Sequence, residues 1–312
     1  MAPPIHIRLF GPTTVIDRDT PERVTSIRGK QGRILAVLGL QPGHPVHKDR
    51  LAEAVWDGRP PPSFRQALDS DVCVLRRRAG LGPGRSSALA TTASGYVLDP
   101  ERVSVDLADA RALAERARTQ QAALAVASAH AALELASGEL LEDEPYAVWA
   151  DEARSAWRST EVDLCLLGSR TAIVTGDVSL AIRCGQRALA RSPASEQAAV
   201  QLMRALWWGD RRTEAIHVFL TLRESMLEEF GEQPGQEAQN LYLTILRDGA
   251  MNAGDGVDDS FEHLRLALKL LRGALDVMPG VRAPAHDADL AAAAAAALAQ
   301  ERDRWTAGAA IR

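Results

Sequence analysis

The sequence predicts a mainly helical protein with a small β part near its beginning. Aromatic residues make up only 4% of the 312 residues, while alanine and leucine abound, a composition that favours helices. Short segments with the two-residue period of a half-buried strand occur in the first hundred residues. Beyond them, glycine- and proline-containing breaks divide the chain into pieces of helical length. A small mixed head followed by a longer all-helical body is therefore expected.

The head begins with three strand-like segments and continues with helices. The predicted strands are 5–9, 13–16 and 23–27. The predicted helices are 30–40, 48–56 and the segment after the triple proline at 60–62. Three short strands ahead of any helix indicate a small antiparallel sheet that caps the helices.

The third of these helices is amphipathic and ends in three arginines. At helical spacing its apolar residues share one face: they are Phe64, Leu68, Val72 and Leu75. The opposite face carries Gln66, Ser70, Cys73 and Arg77. The apolar face is predicted to pack on the two preceding helices, which leaves the polar face free for a groove.

A short β-hairpin is predicted directly after this helix, over 91–98. A cationic helix followed by a hairpin is the order of a recognition helix and its wing, which together can straddle a DNA backbone. The head is therefore interpreted as a winged helix-turn-helix: a short antiparallel sheet, three helices and a wing hairpin. This favours a DNA-binding regulator over an enzyme.

Charge is unevenly divided between the head and the rest of the chain. Residues 1–100 hold 14 Lys or Arg against 9 Asp or Glu, and the remainder holds 22 against 32. A basic head on an acidic body indicates that the head alone meets a polyanion. The seven histidines are scattered and Cys73, Cys165 and Cys184 lack metal-ligand spacing, so we expect no catalytic centre, no metal and no cofactor.

After residue 105 the sequence reads as a series of helices. They are predicted at 106–119, 121–137, 147–175, 178–191, 195–208, 211–229 and 235–248. The breaks at Gly176-Asp177 and Gly209-Asp210 lead into similar helices about 34 residues apart, the period of tetratricopeptide (TPR) repeats. The predicted domains are 1–100, 101–249 and a linker with a helical extension over 250–312. Whether that extension docks on the repeat or dimerises stays open.

Residues in both the head and the body carry a family resemblance. In the head they are Ile7–Pro12, Leu51, Val55-Trp56, Gly58, Pro60-Pro61, Leu75–Arg77, Gly95–Leu98 and Val105-Asp106. In the body they are Gly138, Trp149, Glu152, Arg154, Gly176-Asp177, Pro193, Glu196, Glu214-Ala215, Leu222-Arg223 and Leu227–Pro234. Through these positions, residues 1–249 resemble the Streptomyces antibiotic regulatory protein (SARP) family. The resemblance implies a winged helix of the response-regulator type joined to a TPR-like bacterial transcriptional activation domain.

The resemblance also implies a function and partners. Members of this family activate secondary-metabolite (antibiotic) gene clusters, bind direct repeats near the promoter and contact RNA polymerase holoenzyme through sigma factor and core subunits. The expected partners are therefore double-stranded promoter DNA, the polymerase and, as an open alternative for the extension, a second copy of the chain. No 18-residue apolar run is present, so no membrane partner is expected, and a cytoplasmic location is predicted.

The predicted DNA contacts follow from the winged-helix arrangement. They are Lys48, Arg65, Gln66, Ser70, Cys73, Arg76, Arg77, Thr91, Thr92 and Tyr96. Guanidinium groups suit phosphate oxygens and a glutamine can read adenine bidentately. Hydroxyls of the hairpin can donate to the DNA backbone.

Three residues of the recognition helix depart from the family pattern. Asp69 and Asp71 place negative charge on the helix, and Val74 stands where a basic residue is common. A carboxylate beside phosphate is unfavourable unless it accepts from a cytosine amine. These departures favour the alternative, a TPR-type protein-interaction adaptor whose degenerate winged helix does not bind DNA.

Overall fold

The computed structural model describes residues 3–22, 24–82, 87–120 and 122–252. These residues form two compact units, one ending at Cys165 and the other beginning at Leu166. The predicted fold class, mainly helical with a small β part in the head, is confirmed. The predicted linker and helical extension beyond Asn252 lie outside the described residues. Within the described ranges, no helix is both long and apolar enough to cross a membrane.

The first unit contains two small sheets. Its strands are β1 Ile5–Arg8, β2 Thr14–Asp17, β3 Val24–Ser26, β4 Val46–His47, β5 Leu89–Thr91, β6 Gly95–Leu98 and β7 Val103–Val105. One sheet has the order β3-β2-β1-β7, and the other has the order β4-β6-β5. β7 pairs in parallel with β1, so this sheet draws on chain from both sides of residue 100. The domain limits at 100 and 249 stay predictions.

Helices of the first unit pack on one another and, in part, on the sheets. They are α1 Gly29–Gly39, α2 Lys48–Val55, α3 Phe64–Arg78, α4 Asp106–Thr119 and α5 Ala122–Leu135. The helices α1, α2 and α4 contact the sheets. The helices α1, α2 and α3 contact one another, as the hydrophobic pattern predicted. Their shared core includes one fully buried isoleucine and five fully buried leucines: Ile34, Leu35, Leu38, Leu51, Leu68 and Leu75.

A buried carboxylate joins the end of β1 to the start of α4. Asp106 is 2% exposed and accepts hydrogen bonds from the backbone N–H of Leu9 at 2.8 Å, of Phe10 at 3.0 Å and of Leu107 at 2.7 Å. Burial raises the pKa of Asp106 to about 6, although these backbone donors act in the opposite direction. The head therefore depends on one polar side chain that lies beyond residue 100.

The second unit is built from helices arranged in successive pairs. After α6 Asp151–Thr175, which begins in the first unit, come α7 Val178–Arg191, α8 Glu196–Trp208, α9 Arg212–Phe230 and α10 Gln236–Asn252. Neighbouring helices pack on each other in chain order, and α7 and α9 begin 34 residues apart. This is the TPR-like repeat that the spacing of breaks predicted. Its core is mainly alanine, leucine and isoleucine side chains.

Candidate nucleic-acid interface

Helix α3 presents one buried face and one exposed face. Leu68, Val72 and Leu75 have 0% exposure and face the helices α1 and α2. The opposite residues Gln66, Ser70, Cys73 and Arg77 are all exposed. The predicted division of the helix is confirmed, and a continuous polar strip remains on its outer side.

The residues at the two ends of α3 explain where this helix begins and ends. The triple proline at 60–62 precedes the helix, and proline restricts its predecessor to extended backbone. Arg76, Arg77 and Arg78 occupy the last turn. Cationic side chains at a helix C-terminus offset the partial negative charge of its free carbonyls, so these arginines also favour the helix itself.

The hairpin of β5 and β6 forms the wing that was predicted after α3. The hydroxyl of Thr92 accepts the backbone N–H of Gly95 at 3.1 Å and closes the turn. Gly95 lies so close to β4 that a Cβ atom there would stand 1.9 Å from the carbonyl oxygen of Val46. Any side chain at this position would push β4 and the wing apart.

Side chains from α2, α3 and the wing meet at Asp69. Its Oδ1 accepts from the Lys48 ammonium at 2.5 Å and also from the hydroxyl of Tyr96. About two turns further along α3, Arg76 donates through Nε and Nη2 to the carbonyl of Leu89, at 2.9 and 2.7 Å. The wing is therefore attached to α3 at two places.

The electrostatics of this cluster are those of a partly desolvated ion pair. Burial on its own would raise the pKa of Asp69, but hydrogen bonds from Lys48 and Tyr96 outweigh it and lower that pKa. Burial and the bond to Asp69 raise the pKa of Tyr96. The Lys48 ammonium lies 5.5 Å and the Arg76 guanidinium 6.0 Å from the centre of the Tyr96 ring, which adds cation–π attraction.

The second carboxylate of α3 is also engaged within the head. Asp71 accepts a hydrogen bond of 2.6 Å from the side-chain amide of Gln31 on α1. The two acidic departures from the family pattern, Asp69 and Asp71, thus contact neighbouring elements of the same unit. Neither is among the residues on the central line of the exposed strip.

The ten predicted contacts fall into two groups of five. Five are exposed on the outer side of α3: Arg65, Gln66, Ser70, Cys73 and Arg77. The other five make hydrogen bonds within the head: Lys48, Arg76, Thr91 and Tyr96 join α2, α3 and the wing, and Thr92 closes the turn of the wing. Tyr96 is 2% exposed, and its hydroxyl is donated to Asp69 rather than turned outward.

Sequence reasoning missed the role of Asp69 as an attachment point. Its partners Lys48 and Tyr96 are 21 and 27 residues away, so no local pattern joins them. The available signal was the wing tyrosine itself, because a buried tyrosine hydroxyl usually requires a hydrogen-bond partner. Asp69 was instead interpreted as a charge facing phosphate.

Comparison with known proteins places these two units among bacterial regulators. Residues 105–246 match the family model of the bacterial transcriptional activator domain. The regulatory protein DnrI of Streptomyces peucetius is 28% identical over 269 residues, which cover 81% of this chain and 94% of DnrI. The regulatory protein AfsR of Streptomyces griseus is 29% identical over 72% of this chain, a match that reaches 23% of AfsR.

A solved structure shows the same architecture. The Mycobacterium tuberculosis protein EmbR, in complex with a low-affinity phosphopeptide, superposes with a TM-score of 0.64 and 25% identity over 89% of this chain and 73% of its own. The likeness extends through the head as well as the helical repeat, since the coverage exceeds the length of either part alone.

Proposed function

Because the chain belongs to the SARP family of transcriptional regulators, we propose that it is a sequence-specific DNA-binding activator that reads promoter DNA with α3 and the adjacent wing. The observation that carries this proposal is the exposed polar strip of α3. Gln66, Ser70 and Arg77 on that strip are exposed and include the residue types that contact base edges and phosphates in the major groove.

The engagement of Asp69 and Asp71 within the head supports DNA binding over the adaptor alternative. That alternative depended on Val74, where a basic residue is common, and on two carboxylates that repel phosphate. One of them is paired with the Lys48 ammonium at 2.5 Å and the other accepts from Gln31 at 2.6 Å. The Lys48 ammonium offsets the charge that Asp69 would present to a bound phosphate, and the bond to Gln31 directs the Asp71 carboxylate toward α1.

The finer parts of the proposal extend the family resemblance. We infer direct-repeat sites near the promoters of a secondary-metabolite gene cluster, recruitment of RNA polymerase holoenzyme, and action in the cytoplasm. The helical repeat supplies the natural protein-binding surface, because stacked helix pairs form extended surfaces for partners. The predicted domain 101–249 holds 15 Lys or Arg against 23 Asp or Glu, and this acidic balance disfavours contact with DNA.

The test is a mobility-shift titration of the full chain on promoter fragments from the neighbouring gene cluster. Arg77→Ala and Arg65→Ala each remove an exposed guanidinium from α3. Each is expected to weaken binding and to lower the slope of log affinity against log salt by about one. Arg223→Ala, which removes an exposed arginine of α9, is the matched control and should bind as the unmodified chain does.

Addition of RNA polymerase holoenzyme tests recruitment in the same assay. A slower-migrating complex that needs both proteins is expected at the specific fragment. If no promoter fragment is retarded, with or without polymerase, the adaptor alternative replaces the proposal.

A further inference from the structure

Asp69 presents a contradiction if α3 enters a DNA groove. A carboxylate on a helix that faces DNA repels the phosphates and should therefore weaken binding. Removal of this carboxylate should then increase affinity. The geometry of the head leads to the opposite expectation, since the carboxylate joins three elements of the fold.

We propose that Asp69 is a positioning residue: it holds the wing against the recognition helix, so that both meet DNA as one preformed surface. This inference rests on the proposed DNA binding. It assigns no contact between Asp69 and DNA. The affinity for DNA is expected to depend on the hydrogen bond from the Tyr96 hydroxyl to Asp69 and on the ion pair of Asp69 with Lys48.

The first support for this role is the arrangement of the three partners. Lys48 is the first residue of α2, Asp69 lies in the middle of α3, and Tyr96 is on the wing strand β6. A single oxygen, Oδ1 of Asp69, accepts from both of the others. A surface built from a helix and a hairpin binds well only when the distance between the two elements is fixed. Oδ1 of Asp69 lies where α3 meets the hairpin, so its hydrogen bonds fix that distance.

The second support is what the loss of Asp69 would leave behind. Tyr96 is 2% exposed, so its hydroxyl would be a buried donor without its present acceptor, an arrangement that is unfavourable in proteins. The Lys48 ammonium and the Arg76 guanidinium both lie near the Tyr96 ring. Without the carboxylate between them their mutual repulsion would act to separate α2, α3 and the wing.

The second attachment of the wing limits the effect. Arg76 would still donate to the carbonyl of Leu89 and to the hydroxyl of Thr91. Both of these acceptors are on β5, whereas Tyr96 is on β6. Loss of Asp69 is therefore expected to loosen β6 and the turn at 92–95 while the head stays folded.

The decisive experiment compares two carboxylates of the same helix in the full chain. Asp69→Ala is expected to bind the promoter fragment about tenfold more weakly, a change that corresponds to roughly 1.4 kcal/mol. Asp69→Asn keeps an oxygen for the Tyr96 hydroxyl but loses the ion pair, and should fall between Asp69→Ala and the unmodified chain. The matched control is Asp71→Asn, which removes the same charge and keeps an oxygen for Gln31; it should bind equally well or more tightly.

Hydrogen exchange without DNA separates positioning from charge. Asp69→Ala should speed amide exchange at 92–98 and leave the second unit unchanged. Tyr96→Phe keeps the ring and removes only the hydroxyl, so it should produce the same pattern of exchange. In a double-mutant cycle the effects of Asp69→Ala and Tyr96→Phe on affinity should be less than additive, because both variants break one bond.

Three results would overturn the proposal. They are equal or tighter DNA binding by Asp69→Ala, unchanged exchange of the wing in that variant, and full additivity with Tyr96→Phe. If the unmodified chain binds no promoter fragment, the proposed function fails, and the exchange experiment alone then decides whether Asp69 holds the wing. If Asp69→Ala does not fold, Asp69→Asn and Tyr96→Phe carry the same comparison.

Discussion

Each of the two units of this protein is stabilised internally by a different kind of contact. In the first unit, polar side chains join residues far apart in sequence: Asp106 bonds to Leu9 across 97 residues and Tyr96 bonds to Asp69 across 27. In the second unit, a mainly apolar core lies between helices that follow one another along the chain. Polar attachment is directional and fails at single atoms, whereas an apolar core fails by the volume it loses.

The largest expected effect is a cavity in the second unit. Phe219 is 5% exposed and stacks on Tyr242 with ring centres 4.2 Å apart. Phe219→Ala should lower the free energy of unfolding of this unit by about 4 kcal/mol, as truncation of buried aromatic residues does. Denaturant titration with hydrogen exchange resolved by unit measures it.

The control for this truncation is a phenylalanine on the same helix. Phe230 is 57% exposed, so Phe230→Ala removes the same atoms from water rather than from a core and should change stability by less than about 1 kcal/mol. Equal effects of the two truncations would contradict the account of α9 as a helix with a buried and an exposed side.

The next largest effect is expected from loss of the Asp106 carboxylate in the first unit. Asp106→Ala leaves the backbone N–H groups of Leu9, Phe10 and Leu107 without their acceptor. The free energy of unfolding of the first unit should fall by about 3 kcal/mol, since each buried donor without a partner is unfavourable. Asp109→Ala, about one turn along α4, removes a partly exposed carboxylate of the same helix and should leave the stability nearly unchanged. A similar loss in both variants would show that helix propensity, not the attachment, is responsible.

The smallest effect is a dependence of stability on pH. The pKa of Asp106 is about 6 in the folded protein, above its ordinary value of 3.8, so the folded state binds the proton more tightly than the unfolded state. This contribution is complete below pH 3.8 and is lost as the pH rises through about 6. Acidification from pH 7 to pH 5 should therefore stabilise the first unit relative to Asp106→Ala, by about 1 kcal/mol.

The difference in free energy of unfolding between the unmodified chain and Asp106→Ala isolates the titration of Asp106 from that of the other groups. Burial lowers the pKa of His6 in the same unit, which acts on stability in the opposite direction over this pH range, but it does so in both proteins. A difference that does not change with pH would mean that Asp106 titrates in its ordinary range.

The contrast between the units also explains what the sequence could predict. Helix α7 was predicted at its observed limits, 178–191, because glycine, proline and capping residues act within a few positions of a helix end. The buried face of α3 was predicted for the same reason. These are local signals, and they determine where the helices of the second unit begin and end. The long-range polar contacts of that unit, such as the bond from the Trp207 indole to Asp248, have no such signal.

The polar attachments of the head have no local signal. Nothing near Asp69 indicates that Tyr96 will lie against it, and nothing near Asp106 indicates that it will cap the end of β1. The short strand β7 was passed over because its pairing partner β1 is about 100 residues away. The exposed half of the candidate site was therefore predictable, and the half that positions it was not.

Chemical modification of Cys73 measures whether α3 enters the groove of DNA. Cys73 is exposed on the outer side of α3, while Cys165 and Cys184 are buried, so a maleimide reagent reports on this face of the helix. If α3 lies in the groove of DNA, a saturating specific promoter fragment will slow the alkylation of Cys73 strongly, and an unrelated fragment at the same salt concentration will not. An unchanged alkylation rate while the promoter fragment is fully bound would contradict the account.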